Sequence, residues 1–272
     1  MITAKEIIIR LGEEVSTANT EMDPYIVEQL DLYQGPFSEV LKKNVTISRR
    51  TGLPICQDTG FLEFFVFQGN EVTLEEPITE TLNSTIREIY KARPFRYSIV
   101  SDPLLRRENT YDNTPVVCHI FPVKGAKLEI RFLVKGGGSE NLSRLFMMNP
   151  SSGVDDVVQI IIDSLKESAA RGCPPLKVGI GIGGSSDKVM VLAKLALTRS
   201  FNEKHPDSEY AALEDRILAE INDLKIGYQG LGKGITAYSV HIETYPSHIA
   251  IMPVGLAVDC YIARKGRVVL ED

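Results

Sequence analysis

The sequence contains no tryptophan, and phenylalanine and tyrosine together make up only 7% of its 272 residues. Proteins that bind single-stranded nucleic acid commonly stack the bases on aromatic side chains, and the sequence gives no sign of such a surface. Positive charge is not in excess either, because 30 basic residues stand against 36 acidic ones and leave a net charge of −6. We therefore expect no nucleic-acid partner.

Long hydrophobic runs are also lacking. Gly, Pro or a charged residue interrupts each apolar stretch well before the roughly 18 residues that a membrane helix needs. The first residues, MITAKEIIIRLGEE, lack the basic and apolar regions of a signal peptide. Four cysteines are too few and too scattered for the disulfide framework of a secreted domain. The sequence predicts a cytoplasmic protein with reduced thiols and no membrane segment.

The composition, 43% hydrophobic and 24% charged, is typical of a soluble globular chain with a sizeable core. Helical spacing of apolar residues predicts helices in the first 45 residues, and mixed strand and helix patterns follow to the C terminus. This mixture predicts an α/β (mixed α+β) fold, with a β-sheet covered by helices and a helical layer at the N terminus. We interpret residues 1–272 as one domain, and a change of subdomain can be placed near residues 144–153.

A glycine string, VGIGIGGSSDK, carries Gly179, Gly181 and Gly184 at GxGxxG spacing between a predicted strand and a predicted helix. This is the context of a dinucleotide-binding fingerprint. The acidic residue expected about 20 positions later, at the end of a second strand, is missing, because FNEKHPDSEY is polar and contains proline. Close backbone packing, or an anion-binding turn at the helix start, would also explain the glycines. A nucleotide-dependent oxidoreductase stays open as an alternative function.

The four cysteines are Cys56, Cys118, Cys173 and Cys260, and no two form a CxxC pair. A zinc ribbon or a thioredoxin-like site is therefore not indicated. Cys118 lies among apolar residues of a predicted strand, which favours a small core residue. The other three lie in the polar or Gly/Pro-containing segments LPICQDTG, RGCPP and VDCYIARKG. Such loops can hold a thiolate in place, although burial of an inert side chain is the alternative for each.

Two further features are candidates for a binding site. The glycines of KGGGSEN allow backbone N–H groups to converge on a carboxylate or phosphate, a flexible turn being the alternative. His248 lies in a loop between predicted strands, twelve residues before Cys260, where its imidazole could face a site. His119 and His241 alternate with apolar residues in strands and are interpreted as structural, and His205 lies in a charged stretch.

Several of these segments occur together, in order, in a known enzyme family: LPICQDTG, SDPLLRRENTYDNTP, KGGGSEN, CPPLKVGIGIGGSSDK, HIETYPSHIA and the segment around Cys260. From about residue 10 to its C terminus the chain resembles the α-subunit, or N-terminal domain, of the iron–sulfur hydro-lyases. These are the class I fumarate hydratases and the L(+)-tartrate dehydratases. The resemblance implies reversible hydration of a small dicarboxylate, fumarate and malate before L-tartrate. A binding module that derives from the family but has lost catalysis is the alternative.

The resemblance also implies a cofactor. The matching cysteines, Cys56, Cys173 and Cys260, would bind a 4Fe-4S cluster in the way the family does. Because such clusters usually have four thiolate ligands, three leave one iron open. An open iron can act as a Lewis acid on the hydroxyl and carboxylate groups of a substrate.

The same resemblance assigns roles to individual residues. Asp58 matches the acid that protonates the departing oxygen, a task for which a carboxyl group needs a raised pKa; a turn residue is the alternative in the common string DTG. Arg96 matches an arginine that binds a substrate carboxylate in a bidentate manner. Gln57, Gly138 and His248 match further residues that bind the substrate.

Two residues depart from the family pattern, and one part of the family's site is missing. Tyr111 stands where glycine is expected in NTGDNTP, and Tyr261 stands where a small polar residue or histidine is expected. Both departures leave the identity of the substrate open. The family's proton-abstracting base and further substrate-binding residues lie on a β-subunit. The chain ends at Asp272, so we expect it to be inactive alone and to form an α2β2 assembly.

Overall fold

A computed structural model describes residues 1–271 of the protein. These residues divide into two compact units. The first unit contains residues 1–23, residues 43–136 and the C-terminal segment from Arg264, and the second contains residues 24–42 and 137–263. The chain passes from the first unit to the second at Gly136–Gly137, and residues 144–148 form a strand inside the second unit. The change of subdomain near residues 144–153 stays a prediction. That the whole chain acts as one catalytic domain stays a prediction.

The described residues form eight α-helices and eight β-strands. The helices are α1 (Ala4–Thr20), α2 (Pro24–Leu32), α3 (Ser38–Thr51), α4 (Ile78–Ala92), α5 (Gly137–Glu140), α6 (Val154–Ser168), α7 (Ser186–Ala196) and α8 (Ser208–Asp223). The strands are β1 (Phe61–Gly69), β2 (Val117–Val123), β3 (Lys127–Lys135), β4 (Arg144–Met148), β5 (Leu176–Gly183), β6 (Ala237–Tyr245), β7 (Met252–Asp259) and β8 (Lys265–Glu271). The mixed fold class and the helical N-terminal segment are confirmed.

The first unit is built on a four-stranded sheet with the order β2-β1-β3-β8. Strand β1 runs parallel to β2 and antiparallel to β3, which is antiparallel to β8. Alternate residues of β1 enter the core, where Leu62, Phe64 and Val66 are fully buried. Helices α1 and α4 cover this face, because each carries apolar residues at helical spacing.

The other face of the first sheet carries both charged and aromatic side chains. Glu63 is buried there, and its Oε1 lies 3.2 Å from Nε2 of His119 on the neighbouring strand. The His119 ring also stacks on Phe65, with ring centroids 5.3 Å apart. His119 therefore has the structural role expected from the sequence.

The second unit has a separate four-stranded sheet with the order β4-β7-β5-β6. Strand β5 is parallel to β6 and antiparallel to β7. One face packs against α6 and α8 through a core that includes Val178, Ile180, Val240, Ile242 and Leu256. The predicted β-sheet covered by helices thus takes the form of two sheets, each packed against helices.

Glycines explain how α7 packs on the opposite face of the second sheet. A β-carbon at Gly179 would lie 2.1 Å from the carbonyl oxygen of Ala193, and one at Gly181 would lie 2.1 Å from that of Val189. Only glycine permits so close an approach of helix and strand. Two of the three glycines in the GxGxxG string are therefore accounted for by backbone packing.

Candidate active site

Cys56 lies in the loop that joins α3 to β1, and neighbouring side chains and backbone groups hold this loop. The Ile55 amide donates a hydrogen bond to the carbonyl oxygen of Asn19 at 2.9 Å, and Nδ2 of Asn44 donates to the Ile55 carbonyl at 2.9 Å. The Ser48 hydroxyl donates to the carbonyl of Leu53. These bonds fix the backbone before Cys56 and so hold its partly exposed thiol in a defined position.

Asp58 sits in a tight turn immediately before β1. Its Oδ1 accepts a hydrogen bond from the Gly60 amide at 3.0 Å. Gly60 has a left-handed backbone (φ +71°), and a β-carbon there would lie 2.6 Å from the Lys135 carbonyl oxygen. The other carboxylate oxygen, Oδ2, lies 3.2 Å from the position of a β-carbon at Gly136. One oxygen therefore makes the turn contact that the sequence allowed, while the other faces the end of β3.

Arg96 is tied to the same turn through its backbone. The Thr59 hydroxyl accepts from the Arg96 amide at 2.9 Å and donates to the Arg96 carbonyl at 3.1 Å. Thr59 is fully buried, whereas the Arg96 and Gln57 side chains are exposed. The first unit therefore brings four of the predicted site residues together: Cys56, Gln57, Asp58 and Arg96.

The segment NTYDNTP stabilises the Asp58 turn through hydrogen bonds, a role that the sequence alone did not indicate. Buried Asn113 donates from Nδ2 to the Gly60 carbonyl at 3.0 Å and accepts from the Ser98 amide at 2.8 Å. Its φ is 61°, a left-handed value that asparagine tolerates better than most residues. The asparagine in this turn segment is therefore the feature of the sequence that could have indicated the role. Tyr111 also has a left-handed φ, 57°, so its backbone adopts the conformation that favours the glycine expected there.

In the second unit, Cys173 and Cys260 belong to adjoining loops. The Tyr261 amide donates to the carbonyl oxygen of Cys173 at 2.9 Å. Cys173 is exposed in a left-handed conformation, with φ 54° and ψ 63°. Cys260 follows β7 directly, and its amide donates to Oδ1 of the buried Asp259 at 2.9 Å. Two cysteines that are 87 positions apart in sequence are thus held side by side.

Gly138 lies close to the Cys173 loop. It is exposed in the short helix α5, and a β-carbon at this position would lie 3.6 Å from the carbonyl oxygen of Arg171. Arg171 precedes Cys173 by two residues. The second unit therefore groups Gly138 with two of the three candidate ligands.

His248 is not grouped with those cysteines. It lies in the exposed loop between β6 and β7, whereas Cys260 follows the opposite end of β7. An eight-residue strand spans about 26 Å. The hydroxyl of Ser247 donates to the Gly184 carbonyl at 3.2 Å, which places this loop beside the glycine turn after β5. The twelve-residue spacing therefore separates His248 from Cys260 rather than joining them.

Cys118 differs from the other cysteines in its surroundings. It pairs with Phe64 across β1 and β2, and it packs against the first core. Burial raises the pKa of its thiol to about 11, which disfavours the thiolate that binds metals. All four cysteines, each within the described chain, are thiols rather than disulfides.

Comparison with known proteins identifies the family. Residues 5–269 match the family described as fumarate hydratase (fumerase). The chain belongs to this family. A Methanocaldococcus jannaschii protein named putative L(+)-tartrate dehydratase subunit alpha is 35% identical over 267 residues, which cover 96% of this chain and 92% of the relative. The L(+)-tartrate dehydratase subunit alpha of Escherichia coli (strain UTI89) is 31% identical over 228 residues, 83% of this chain and 74% of the relative.

This fumarate hydratase family membership confirms the resemblance seen in the motifs and supports a hydro-lyase activity. It also bears on the oxidoreductase alternative, since the glycine string occurs in a family named for hydration and two of its glycines pack against α7. No helix among residues 1–271 is long and apolar enough to cross a membrane.

The three cysteines that the sequence resemblance predicts as cluster ligands are divided between the units, Cys56 in the first and Cys173 with Cys260 in the second. Within either unit, as far as the structure describes it, no three side chains of His, Cys, Asp or Glu converge on one metal position. The donor chemistry nevertheless suits an iron–sulfur cluster, because all three thiols are on loops or strand ends and at least partly exposed.

Proposed function

We propose that this chain is the α-subunit of an iron–sulfur hydro-lyase that reversibly adds water across the double bond of a small dicarboxylate. The observation that carries the proposal is the hydrogen bond between Tyr261 and Cys173, because it holds two distant cysteines together on accessible loops. The second line of support is the gathering of a carboxyl group, Asp58, and an arginine, Arg96, next to the third cysteine.

Fumarate and malate are the first candidate substrates, because the matching family is described by fumarate hydration over almost the whole chain. L-tartrate is the second, because relatives at 30–35% identity carry that name. Both substrates have two carboxylates and differ by one hydroxyl group, so the same arginine and carboxyl group suit either one.

Cys56, Cys173 and Cys260 would hold the 4Fe-4S cluster. When bound, such a cluster supplies a Lewis acid at its open iron, which makes hydroxide a better leaving group. Cys118 is outside this set, since burial favours its neutral thiol.

The chain's own residues bind and orient the substrate and deliver a proton to the departing oxygen. The Arg96 guanidinium, on a backbone fixed by Thr59, binds one substrate carboxylate in a bidentate manner. Asp58 delivers a proton from its carboxyl group to the departing oxygen. Gln57 and the backbone of Gly138 add hydrogen bonds that orient the substrate.

His248 takes part from a second copy of the chain. The length of β7 separates it from Cys260 in its own unit, which supports a role toward the site of another copy. Its loop is exposed, and the adjacent Ile249 is 92% exposed, as expected for a segment that a neighbouring chain covers. We therefore propose an α2β2 assembly in which the β-subunit supplies the proton-abstracting base, in the cytoplasm, where thiols stay reduced.

Anaerobic reconstitution tests the proposal. The chain is co-expressed with its β-subunit, purified without oxygen, and analysed for iron, sulfide and a broad visible absorption band. Hydration of fumarate and dehydration of malate and L-tartrate are then followed by ultraviolet absorbance. Failure to acquire a cluster contradicts the proposal, and a cluster without turnover of any of the three acids indicates another substrate.

The same preparation distinguishes the alternatives. Saturable binding of NAD by protein without a cluster would favour the nucleotide-dependent oxidoreductase. A stable α–β complex that neither binds a cluster nor turns over a dicarboxylate would favour the non-catalytic binding module.

A further inference from the structure

Arg264 is a buried cation of the first unit that none of the sequence motifs assigned. It precedes β8 and is only 4% exposed. Its carbonyl oxygen accepts a hydrogen bond from the Val134 amide at 3.0 Å, which anchors its backbone to the end of β3. Arginine is seldom buried to this degree unless another group compensates its charge.

One arm of the Arg264 guanidinium reaches the loop that carries Cys56. Nη1 donates to Oδ1 of Asn19 at 2.8 Å, and Asn19 is fully buried. The Asn19 carbonyl oxygen accepts the hydrogen bond from Ile55, the residue directly before Cys56. Asn19 therefore connects Arg264 to the residue before Cys56, through its side-chain oxygen on one side and its backbone carbonyl on the other.

The other arm of the guanidinium lies beside Gly136, as does the Asp58 carboxylate. Nη2 of Arg264 lies 3.9 Å from the β-carbon position at Gly136, and Oδ2 of Asp58 lies 3.2 Å from the same position. A cationic and an anionic side chain thus flank one glycine, where opposite charges attract. Gly136 leaves the room for both, because any side chain there would meet the carboxylate.

The charges of Arg264 and Asp58 both affect the pKa of the neighbouring Tyr90. Its hydroxyl donates to the Thr59 carbonyl at 2.6 Å, beside Asp58. Burial raises the pKa of Tyr90 well above its usual value, the positive charge of Arg264 opposes that rise, and the negative charge of Asp58 adds to it. The phenol therefore lies close enough to both groups to respond to each.

The buried guanidinium of Arg264 carries a cost in folding stability. Among the described residues its Nε, although buried, has no hydrogen-bond acceptor. A buried donor without a partner destabilises the folded state, and an apolar side chain would avoid that cost. This favours a role for the charge itself.

We propose that Arg264 is a positioning residue: its guanidinium orients the Asp58 carboxylate and, through Asn19, fixes the loop of Cys56. The proposal rests on the proposed function in one respect, the role of Asp58 as the catalytic acid. Arg264 itself touches neither substrate nor cofactor in this scheme.

The test compares Arg264→Lys and Arg264→Met with Arg199→Lys in the reconstituted α–β enzyme. Arg199 is a matched control, because it is also 4% exposed but is paired with Glu214 in the second unit. We expect Arg264→Lys to lower kcat per bound cluster by about 10- to 100-fold with KM changed less than about threefold, and Arg264→Met to lower it further. Arg199→Lys should lower the Tm without changing kcat per cluster.

A second measurement does not depend on catalysis. Hydrogen exchange of residues 53–60 in the full chain without cluster should accelerate by about tenfold or more in Arg264→Met and remain unchanged in Arg199→Lys. If the wild-type enzyme acquires no cluster, the proposed function is wrong, and exchange still decides whether Arg264 controls this loop.

Wild-type kcat per cluster together with wild-type exchange in Arg264→Lys would overturn the proposal. Loss of activity that matches the loss of cluster, with normal kcat for the remaining cluster, would overturn the role toward Asp58. If the Arg264 variants do not fold, Asn19→Leu removes the Nη1 acceptor while keeping the backbone bond to Ile55. An unchanged kcat in that variant would overturn the proposal as well.

Discussion

The amide of Tyr261 and the carbonyl oxygen of Cys173 are joined by a 2.9 Å hydrogen bond. This contact connects the residue after Cys260 to Cys173, 88 positions earlier, and it does so through backbone atoms alone. The departure of Tyr261 from the family pattern therefore leaves the connection intact, since any residue except proline supplies the same donor.

The first prediction concerns the cysteines. Cys56→Ser, Cys173→Ser and Cys260→Ser should each prevent cluster assembly and abolish activity, because each removes one of three thiolate ligands. Cys118→Ser, the matched control in the core of the first unit, should keep both and lower the stability by about 1–3 kcal/mol. Iron content, visible absorption and thermal unfolding measure these effects. A cluster that needs Cys118 but tolerates loss of one of the three would show that the ligand set is wrong.

Asp58→Asn should lower kcat by about 10²- to 10⁴-fold, because the amide has the shape of the carboxyl group but no proton to deliver. The turn should survive, since the amide oxygen can still accept from Gly60. Asp163→Asn, on the exposed surface of α6, is the control and should behave as wild type. Steady-state kinetics at equal cluster content decide the matter, and full activity in Asp58→Asn would exclude Asp58 as the acid.

Arg96→Lys should raise KM by about 10- to 100-fold with a smaller effect on kcat, because lysine cannot form the paired hydrogen bonds of guanidinium to a carboxylate. Folding should not suffer, since the contacts of Arg96 with Thr59 are made by its backbone. Arg93→Lys, three residues earlier at the end of α4, provides the control. Equal KM values in the two variants would remove Arg96 from the binding site.

Sequence reasoning located most of the fold because its elements have strong local patterns. The alternation of β-branched residues with glycine in β5 and the helical spacing in α6 needed no tertiary information. Strand β4 was missed, because its five residues include arginine and two methionines and it pairs only with β7. Strand β2 begins only at Val117, after the turn around Asn113, whose hydrogen bond to the distant Gly60 carbonyl no local pattern indicates.

The candidate site was harder to derive, because distance along the chain is a poor guide to distance in space. His248 was placed near Cys260 on a twelve-residue spacing, yet eight of the intervening residues form an extended strand. Arg264 received no role of its own from the segment VDCYIARKG, because ARKG has the composition of a surface segment, while the Arg264 guanidinium is buried against Asn19. Burial of this kind depends on contacts between distant segments and leaves no local signal.

Cys118 provides a pH-dependent prediction. Burial raises the pKa of this thiol to about 11 in the folded chain from an ordinary value near 9, so folding favours its protonated form. The corresponding stability is fully present below pH 9 and is lost as the pH rises through 11. Cys118→Ala should therefore show a weaker loss of stability than wild type between pH 9 and 11, measured by urea unfolding. Identical pH profiles would contradict a buried thiol at this position.

The last prediction concerns His248 and follows from the length of β7. If His248 serves the site of a second copy, an enzyme carrying only His248→Asn and one carrying only Asp58→Asn should both be poorly active. Co-expression of the two variant chains should restore activity, because one site of each mixed pair then combines an intact Asp58 with an intact His248. Random pairing predicts recovery of about a quarter of the wild-type sites.

Mixing the two variants after separate purification and assembly is the control and should restore little, since exchange of chains between assembled enzymes is slow. A co-expressed sample no more active than the better single variant would show that His248 and Asp58 act in the same chain.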